Sequence, residues 1–525
     1  MKNKWILITS AAATILLSGC KKGFVGINTD PDHVTQAVMN YNSLFTAAEL
    51  ITSGNSDGNS YEDWRDNLIY ASCMIQHLSS TAGNWVGDKY LYNPSYNSAY
   101  WDNNYPNSIT NIVETVYHTQ GDLTKTNLYN IARIFKAFMF QRMTDMYGDC
   151  PYTQAGLGAI SGITAPVYDK QQAIYDSLFN ELQEAAGNLS ATAANTVDSA
   201  DLIYRGSVVE WQKFAYSEML RLAMRLTKVD PTTAQKWVRI AVAGGVMASN
   251  SDDAVVQHQN QHDQTANGSG SVLVYQDPNA SRLHSTFVNY LKTTGDPRLT
   301  YIGTVCTNPG LALGAVGFDY GDTSWFKQLG QPGGYDLGGR TYDISTAPGY
   351  PGSQNDYSVV NRYTFARLNA PTFFLTCAET QFLLAEAAER GWITGDPAVY
   401  YTAGVTAAMN QMAETGAVPG ISPAQITTYL TAHPYNTATG LQQINTQYWV
   451  ATFMDEYEAW ANWRRSGYPT LTPVNYPGNV TNATIPRRFT YPQGEPATNP
   501  VNYAAAVAGL KYGDKMTSTV WWDAP

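Results

Sequence analysis

The stretch Ile131-Ala132-Arg133-Ile134-Phe135-Lys136-Ala137-Phe138-Met139-Phe140-Gln141-Arg142-Met143-Thr144-Asp145-Met146 decides the fold. Ile131, Ile134, Phe135, Phe138, Met139, Met143 and Met146 recur at the 3.6-residue period and share one stripe, which predicts a buried helix. Outward from it, Trp211, Ala215, Met219, Leu222 and Leu226 form a second stripe, with Arg221 and Arg225 one turn apart beside it. A third helix is expected over 372–390, where Ala385, Ala387 and Ala388 let another helix approach closely and Gly391 serves as the C-cap. A fourth is expected over 446–465, with an aromatic face of Trp449, Phe453, Tyr457, Trp460 and Trp463. Shorter helices are expected over 41–51, 67–79, 109–119 and 171–186.

These patterns predict an all-α chain. Paired helices with small and aromatic interface residues suggest tetratricopeptide-like pairs, although the 34-residue consensus does not repeat cleanly. Between the helices lie irregular stretches, 83–106, 250–278, 304–361 and 468–500, rich in Gly, Pro, Asn and Tyr. Loops of this length inside a compact domain are usually functional. The chain holds 36 Tyr and 13 Trp, rings that offer a flat apolar face with a polar handle. Trp85, Tyr90, Tyr92, Tyr96, Tyr100 and Trp101 crowd one loop otherwise made of Asn, Ser, Gly and Asp, with Asp102 beside them. This composition suits sugar stacking, and its alternative is that some rings merely pin the loop to the scaffold. Trp325, Tyr335, Tyr342, Tyr350 and Tyr357 are the candidates for a second wall. On this reading, replacing Trp85 or Trp101 with alanine weakens ligand binding and leaves stability nearly unchanged.

Charged residues make up only 14% of the 525-residue chain, and the net charge is −11. With no basic cluster beyond pairs such as Arg464-Arg465 and Arg487-Arg488, nucleic-acid binding is disfavoured. Cys73, Cys150, Cys306 and Cys377 are widely separated and form no C-x-x-C pair, so neither a zinc site nor a pairing follows. His258 and His262 have the i, i+4 spacing of a zinc helix, but Gln259 replaces the required glutamate and the flanks read as loop. No G-x-S-x-G elbow or P-loop sequence is present. The carboxylates Asp145, Asp149, Glu379 and Glu386 cannot be paired across space from sequence, which leaves a glycosidase dyad open beside a structural role. Oxygen-rich clusters at 28–32, 102–104 and 252–253 suit calcium, or equally turns, and none matches the full EF-hand loop. No cofactor and no metal site is expected.

At the N-terminus, Lys2 and Lys4 precede an apolar run from Trp5 to Leu17 and the small-residue site Leu17-Ser18-Gly19-Cys20. That order is a secretory signal, and its apolar run is shorter than the ~20 residues a bilayer span needs. The four-residue site looks like a bacterial lipobox. Residues 1–19 are then a removed leader, Cys20 the lipid attachment point, and 20–525 a single domain held to the membrane by lipid alone.

The motifs together resemble the SusD/RagB family of Bacteroidetes outer-membrane lipoproteins, in its SusD-like branch. Gly26-Ile27-Asn28-Thr29-Asp30-Pro31 is similar to the family's early segment, and Gln141-Arg142-Met143-Thr144-Asp145-Met146-Tyr147-Gly148-Asp149 with Pro151-Tyr152 resembles its most distinctive helix and turn. Leu220 to Leu226, Asp296-Pro297-Arg298-Leu299, Ala378-Glu379 with Ala385-Glu386-Ala387, Trp460 with Arg464-Arg465-Ser466-Gly467-Tyr468-Pro469, and Ile485-Pro486-Arg487-Arg488 with Tyr491-Pro492 follow in the family's order. Two positions depart from it: Cys150 stands where a small aliphatic residue is usual, and Lys21-Lys22 stand where many surface-exported relatives are acidic. The resemblance implies an all-helical fold of tetratricopeptide-like pairs and a surface-facing, lipid-anchored place at the outer membrane. It also implies a SusC-like TonB-dependent transporter as partner and capture of a nutrient, most often an oligosaccharide, without catalysis. A peptide ligand and a surface hydrolase are the alternatives. Arg142, Asp145 and Asp149 are expected to be structural.

Overall fold

The computed structural model describes residues 39–55, 58, 60–193, 197–416 and 419–524. The leader, Cys20, Lys21-Lys22 and the cluster at 28–32 lie outside the described residues. The chain divides into two compact units, Met1–Tyr41 and Asn42–Pro525, and every element named below belongs to the second.

Helices that follow one another in sequence pack side by side, the arrangement of tetratricopeptide-like pairs. Helix α1 (Thr110–Thr119) lies on α2 (Thr126–Tyr147), α2 on α3 (Gln171–Asn188), α3 on α4 (Val208–Arg225), and α4 on α5 (Pro231–Gly244). A second group contains α6 (Cys377–Glu389), α7 (Pro397–Asn410), α8 (Pro423–Ala432), α9 (Gly440–Ala451) and α10 (Glu456–Ser466). There α6 packs on α7 and α9, α9 on α10, and α4 against α6 joins the groups. The predicted stripe on α2 is wholly buried, with Phe135 and Phe138 stacked at 5.8 Å.

Two predicted helices are each divided. Over 372–390 the first residues form a strand: Thr372–Leu375 (β6) pairs antiparallel with Ala254–Val256 (β2), because the run Thr-Phe-Phe-Leu is β-branched and aromatic. The helix starts one residue later, at a capping box in which Thr376 and Glu379 exchange side-chain and backbone hydrogen bonds. It ends as expected at Gly391 (φ +68°), where Trp392 N–H reaches the Ala387 carbonyl and Gly391 N–H that of Ala388. Over 446–465 the chain breaks between α9 and α10 at Met454, whose φ is +78°. The stretch 67–79 also departs from an α-helix, forming a π-helical segment, Asp63–Ser72, and the short strand Leu78–Ser79 (β1). Strand β1 pairs with Arg282–Leu283 (β3), and Gly303–Thr304 (β4) pairs with Val359–Val360 (β5).

The carboxylates left unpaired by the sequence reading all find bases. Arg225 contacts Asp145 of α2 at 3.1 Å and bonds Glu458 of α10, while Arg221 reaches Glu379 of α6 at 2.8 Å. Arg465 grips Glu386 with both arms at 2.7 and 2.8 Å, and Arg390 adds a third contact at 2.8 Å. Against the upward push of burial, Arg465 and then Arg390 hold the Glu386 carboxyl down to about 2. Asp149 accepts from Gln171 N–H at the start of α3 and from Lys170. Arg142 pairs with Asp455 at 2.5 Å. These family-motif residues are scaffold.

Glu386→Ala strands Arg465, 1% exposed, without its carboxylate. Loss of one partner of a buried pair costs about 3–5 kcal/mol, so urea unfolding of the variant is expected to show a loss of that size, and an unchanged midpoint would refute the role.

Candidate functional site: a tyrosine-lined recess

A recess of about 450 Å³ opens where three segments meet: the start of the helix Ser285–Thr293 with its N-cap His284, and the loops 332–348 and 472–475. Each segment is held by hydrogen bonds that the sequence supplies. After β3, Ser285 N–H donates to the Gln331 carbonyl and Gln331 N–H to that of Leu283, so the 284 and 331 segments run together. Gln76, buried and in the left-handed region at φ +63°, donates to the Thr472 carbonyl at 2.6 Å and accepts from the Thr286 hydroxyl at 2.6 Å. One side chain thereby joins all but the 332–348 wall. Asp88 accepts from Gly334 N–H and Ser80 N–H, each at 3.2 Å, and Lys89 neutralises it at 3.0 Å. Gly334 has φ +80°, and a Cβ there would sit 2.3 Å from Val474, so only glycine fits this approach.

His284 faces the recess with Nδ1 3.0 Å from Thr286 N and Nε2 3.1 Å from Gly333 N. A neutral imidazole has one acceptor nitrogen, so only one of these is a hydrogen bond at a time. Burial, with His77 nearby, presses its pKa down to about 3, which keeps the ring uncharged.

The rings come from the long Gly-rich loop. Tyr335 and Tyr342 line the recess and are half-buried. Tyr350 and Tyr335 pack on a small local core of Ile344, Ala347 and Tyr357, which stiffens the loop. Tyr476 crosses Tyr342 edge to face at 5.2 Å and donates to Asp336 at 2.6 Å. The lining thus offers the rings and hydroxyls of Tyr335 and Tyr342 and the exposed amide of Asn475, a set that stacks on and hydrogen-bonds to a polar ligand.

The proposed first wall has a different place. Trp85 is wholly buried and donates from its indole to Asp277 at 2.9 Å. Beside it, a Cβ on Gly87 would lie 2.0 Å from the Ile69 carbonyl oxygen, so the loop backbone is seated directly on the π-helical segment. Tyr90 is 1% exposed, and its hydroxyl accepts from Val474 N–H at 3.3 Å. Trp101 packs among Tyr105, Tyr147, Tyr168 and Tyr491, and Tyr100 against Tyr457. These four rings are corrections: they pin the loop and, through Tyr90, brace the recess from behind. Tyr92 is 41% exposed with its hydroxyl 3.2 Å from that of Thr490, and half-buried Tyr96 lies under the Arg65 guanidinium. Asp102 accepts from the Ser98 hydroxyl at 2.6 Å. None of these three lines the recess. Trp325 lies at a separate groove. Sequence reasoning missed Gln76, His284 and Tyr476; only Tyr476 carried a signal, a tyrosine in Asn, Pro and Gly company.

Other candidates also resolve into scaffold. His258 places Nδ1 3.1 Å from the Thr265 carbonyl and Nε2 2.9 Å from the Thr372 hydroxyl, and burial lowers its pKa to about 4. His262 packs against Tyr275, the two rings tilted by 31° with centroids 3.8 Å apart. Asp252 pairs with Lys213, and Asp253 accepts from Cys377 N–H. Among the described residues, no group of three or more His, Cys, Asp or Glu is arranged to hold a metal. Cys73, Cys150, Cys306 and Cys377 are buried free thiols. Among the described residues, no helix is long and apolar enough to cross a membrane.

Paired helices of the tetratricopeptide kind are the architecture of SusD-like proteins. The chain belongs to that family: the SusD-like model described as starch-binding and associating with the outer membrane matches residues 36–492. Among solved structures, a chitin-binding protein is similar at 33% identity, over 93% of this chain and 100% of that one, with a TM-score of 0.80. A Bacteroidetes AC2a SusD-like protein is similar at 28% identity, over 93% and 100% of the two chains, with a TM-score of 0.81. A chitin-binding SusD homolog from Flavobacterium johnsoniae, at 24% identity over 92% and 99%, shares the fold with a TM-score of 0.76. No curated protein matches the chain.

Burial reverses the outcome expected for Trp85→Ala. Emptying a closed site of an indole costs about 3–5 kcal/mol, so denaturant unfolding is expected to show a loss of that order. Ligand affinity of the folded variant is expected to stay at the parent level.

Proposed function

We propose that this chain is a non-catalytic outer-membrane lipoprotein that binds an oligosaccharide in the tyrosine-lined recess and passes it to a SusC-like TonB-dependent transporter. In this reading residues 1–19 are the removed leader, Cys20 carries the lipid that tethers the single domain 20–525 at the cell surface, and no cofactor takes part. The observation that carries it is the placement of Tyr335 and Tyr342 in a recess of about 450 Å³ walled by hydrogen-bonding groups. Pyranose rings present apolar C–H faces and equatorial hydroxyls, and this lining offers the complement of both.

Chitin fragments are the first ligand class, because the 33% identical relative is named for chitin binding and is covered over its whole length. An N-acetyl sugar adds an amide, for which the exposed side chain of Asn475 in the recess wall supplies a like group. Asp145, Asp149, Glu379 and Glu386 are engaged with bases in the scaffold, which favours binding over the hydrolase alternative.

Tyr335→Ala and Tyr342→Ala are each expected to lower affinity for the bound oligosaccharide about tenfold, 1.4 kcal/mol, with little change in thermal unfolding. Titration calorimetry against chitin, starch and peptide oligomers checks this, and parent-like affinity in both variants would sink the assignment of the recess.

A further inference from the structure

A second ring-lined surface lies on the same long loop, away from the tyrosine recess. Two hollows of about 620 and 760 Å³ adjoin at Thr300, which lines both, and are taken together as one groove. Their volumes fall within the range of small-molecule sites. Tyr301 and Tyr363 line the first hollow and Trp325 the second. Tyr363 stacks on Tyr320 at 5.0 Å and 29°, and both rings stay about two-fifths exposed, at 40% and 43%. Tyr320 thus extends the exposed apolar surface of Tyr363 beyond the edge of the hollow.

The backbone beneath these rings is fixed. Strands β4 and β5 pair below the groove, and Asn361 donates to the Thr300 carbonyl at 2.9 Å. Asp322 and Val305 exchange backbone hydrogen bonds at 2.9 and 3.0 Å. Gln328, fully buried, donates to the carbonyls of Asp322 and Ser324 at 2.9 and 3.1 Å, directly before Trp325. Ala424, Gln425 and Thr428 of α8 line the same hollow as the indole and add an amide and a hydroxyl to it. Asp322 and Thr323 add hydrogen-bonding groups at the first hollow.

We infer that this groove is a second carbohydrate site, which holds another part of the glycan chain that occupies the tyrosine recess. The inference rests on the glycan-binding reading of that recess. Trp325 and Tyr335 are ten residues apart, so their Cα atoms are separated by at most about 35 Å. That span is within the length of a polysaccharide strand, whereas a disaccharide occupies one site. Two weak sites on one chain raise affinity for the polymer without any new contact.

The test compares chitobiose with soluble long-chain chitin on four proteins: parent, Trp325→Ala, Tyr363→Ala and Tyr335→Ala. Trp325→Ala and Tyr363→Ala are expected to bind chitobiose like the parent and to lose about tenfold or more in polymer affinity, the scale of lost avidity. Trp325→Phe, which keeps a ring, is expected to retain most of the polymer affinity and controls for misfolding together with thermal unfolding. Parent-like polymer binding by both groove variants, with Tyr335→Ala still impaired, overturns the second site and leaves the recess standing. An equal loss for chitobiose and polymer in the groove variants also overturns it, since the two surfaces would then be one site. Parent-like binding by Tyr335→Ala as well rejects the recess itself.

Discussion

Everything in this molecule is built around arginines that cannot reach water. Arg221 and Arg225 are fully buried side by side on α4 and meet carboxylates from α2, α6 and α10. Taking such ions out of water costs several kcal/mol apiece, and their mutual attraction does little more than offset it. The consequence is geometric: four helices have to present charges at one point, and a slipped helix would leave an arginine stranded. The carboxylates there do not share one fate. Glu458 is held down to about 2, Arg225 and Arg221 outweighing its burial, whereas burial lifts Glu218 to about 7 despite Arg221, with Glu458 adding to the rise. A proton retained on Glu218 reduces the repulsion among the acids crowded around two guanidiniums.

Aromatic rings extend this constraint outward. Arg464 has its guanidinium 3.9 Å from Trp460 and 4.8 Å from Trp522, while one arm donates to the carbonyls of Asp145 and Arg487. Arg142 lies over Phe138 at 4.6 Å. Planar cations stack on apolar faces while their edges hydrogen-bond, which ties the C-terminal loops to the helical core. Asp296 and Arg298 repeat the device on a smaller scale, with Gln447 of α9 as the third member.

The helices were legible because periodicity reports which face of a segment is buried. It does not report the partner, so Arg142, Asp145, Glu379 and Glu386 stood as isolated charges until the fold brought their counterparts together. Periodicity also runs through a break when the residues on both sides are apolar. Met454 interrupts the chain between α9 and α10 without altering the stripe of Trp449, Phe453, Tyr457 and Trp460. Thr372 to Leu375 are as apolar as a helix start, and only their β-branched and aromatic character set them apart.

The loops posed a harder problem, because irregular backbone has no period from which to read direction. The stretch 83–106 has a binding-site composition and reads as irregular, yet much of it folds into short helices, Pro94–Asn97 and Ala99–Asn104, and its tryptophans turn inward: Asp277 takes the Trp85 indole N–H, and Trp101 packs among four tyrosines. The 330–357 loop has rings of the same kind but a core of its own, Ile344, Ala347 and Tyr357, on which Tyr335 and Tyr350 rest partly exposed. Whether a loop ring faces the solvent therefore depends on where the apolar residues of that loop find cover. A loop seated on the scaffold spends its rings on anchoring, as Tyr90 does behind the recess, and a loop with its own small core can hold rings out, already positioned. Tyr335 belongs to the second kind, its ring held in place by Ile344, Ala347 and Tyr357, whereas Tyr342 is held edge to face by Tyr476.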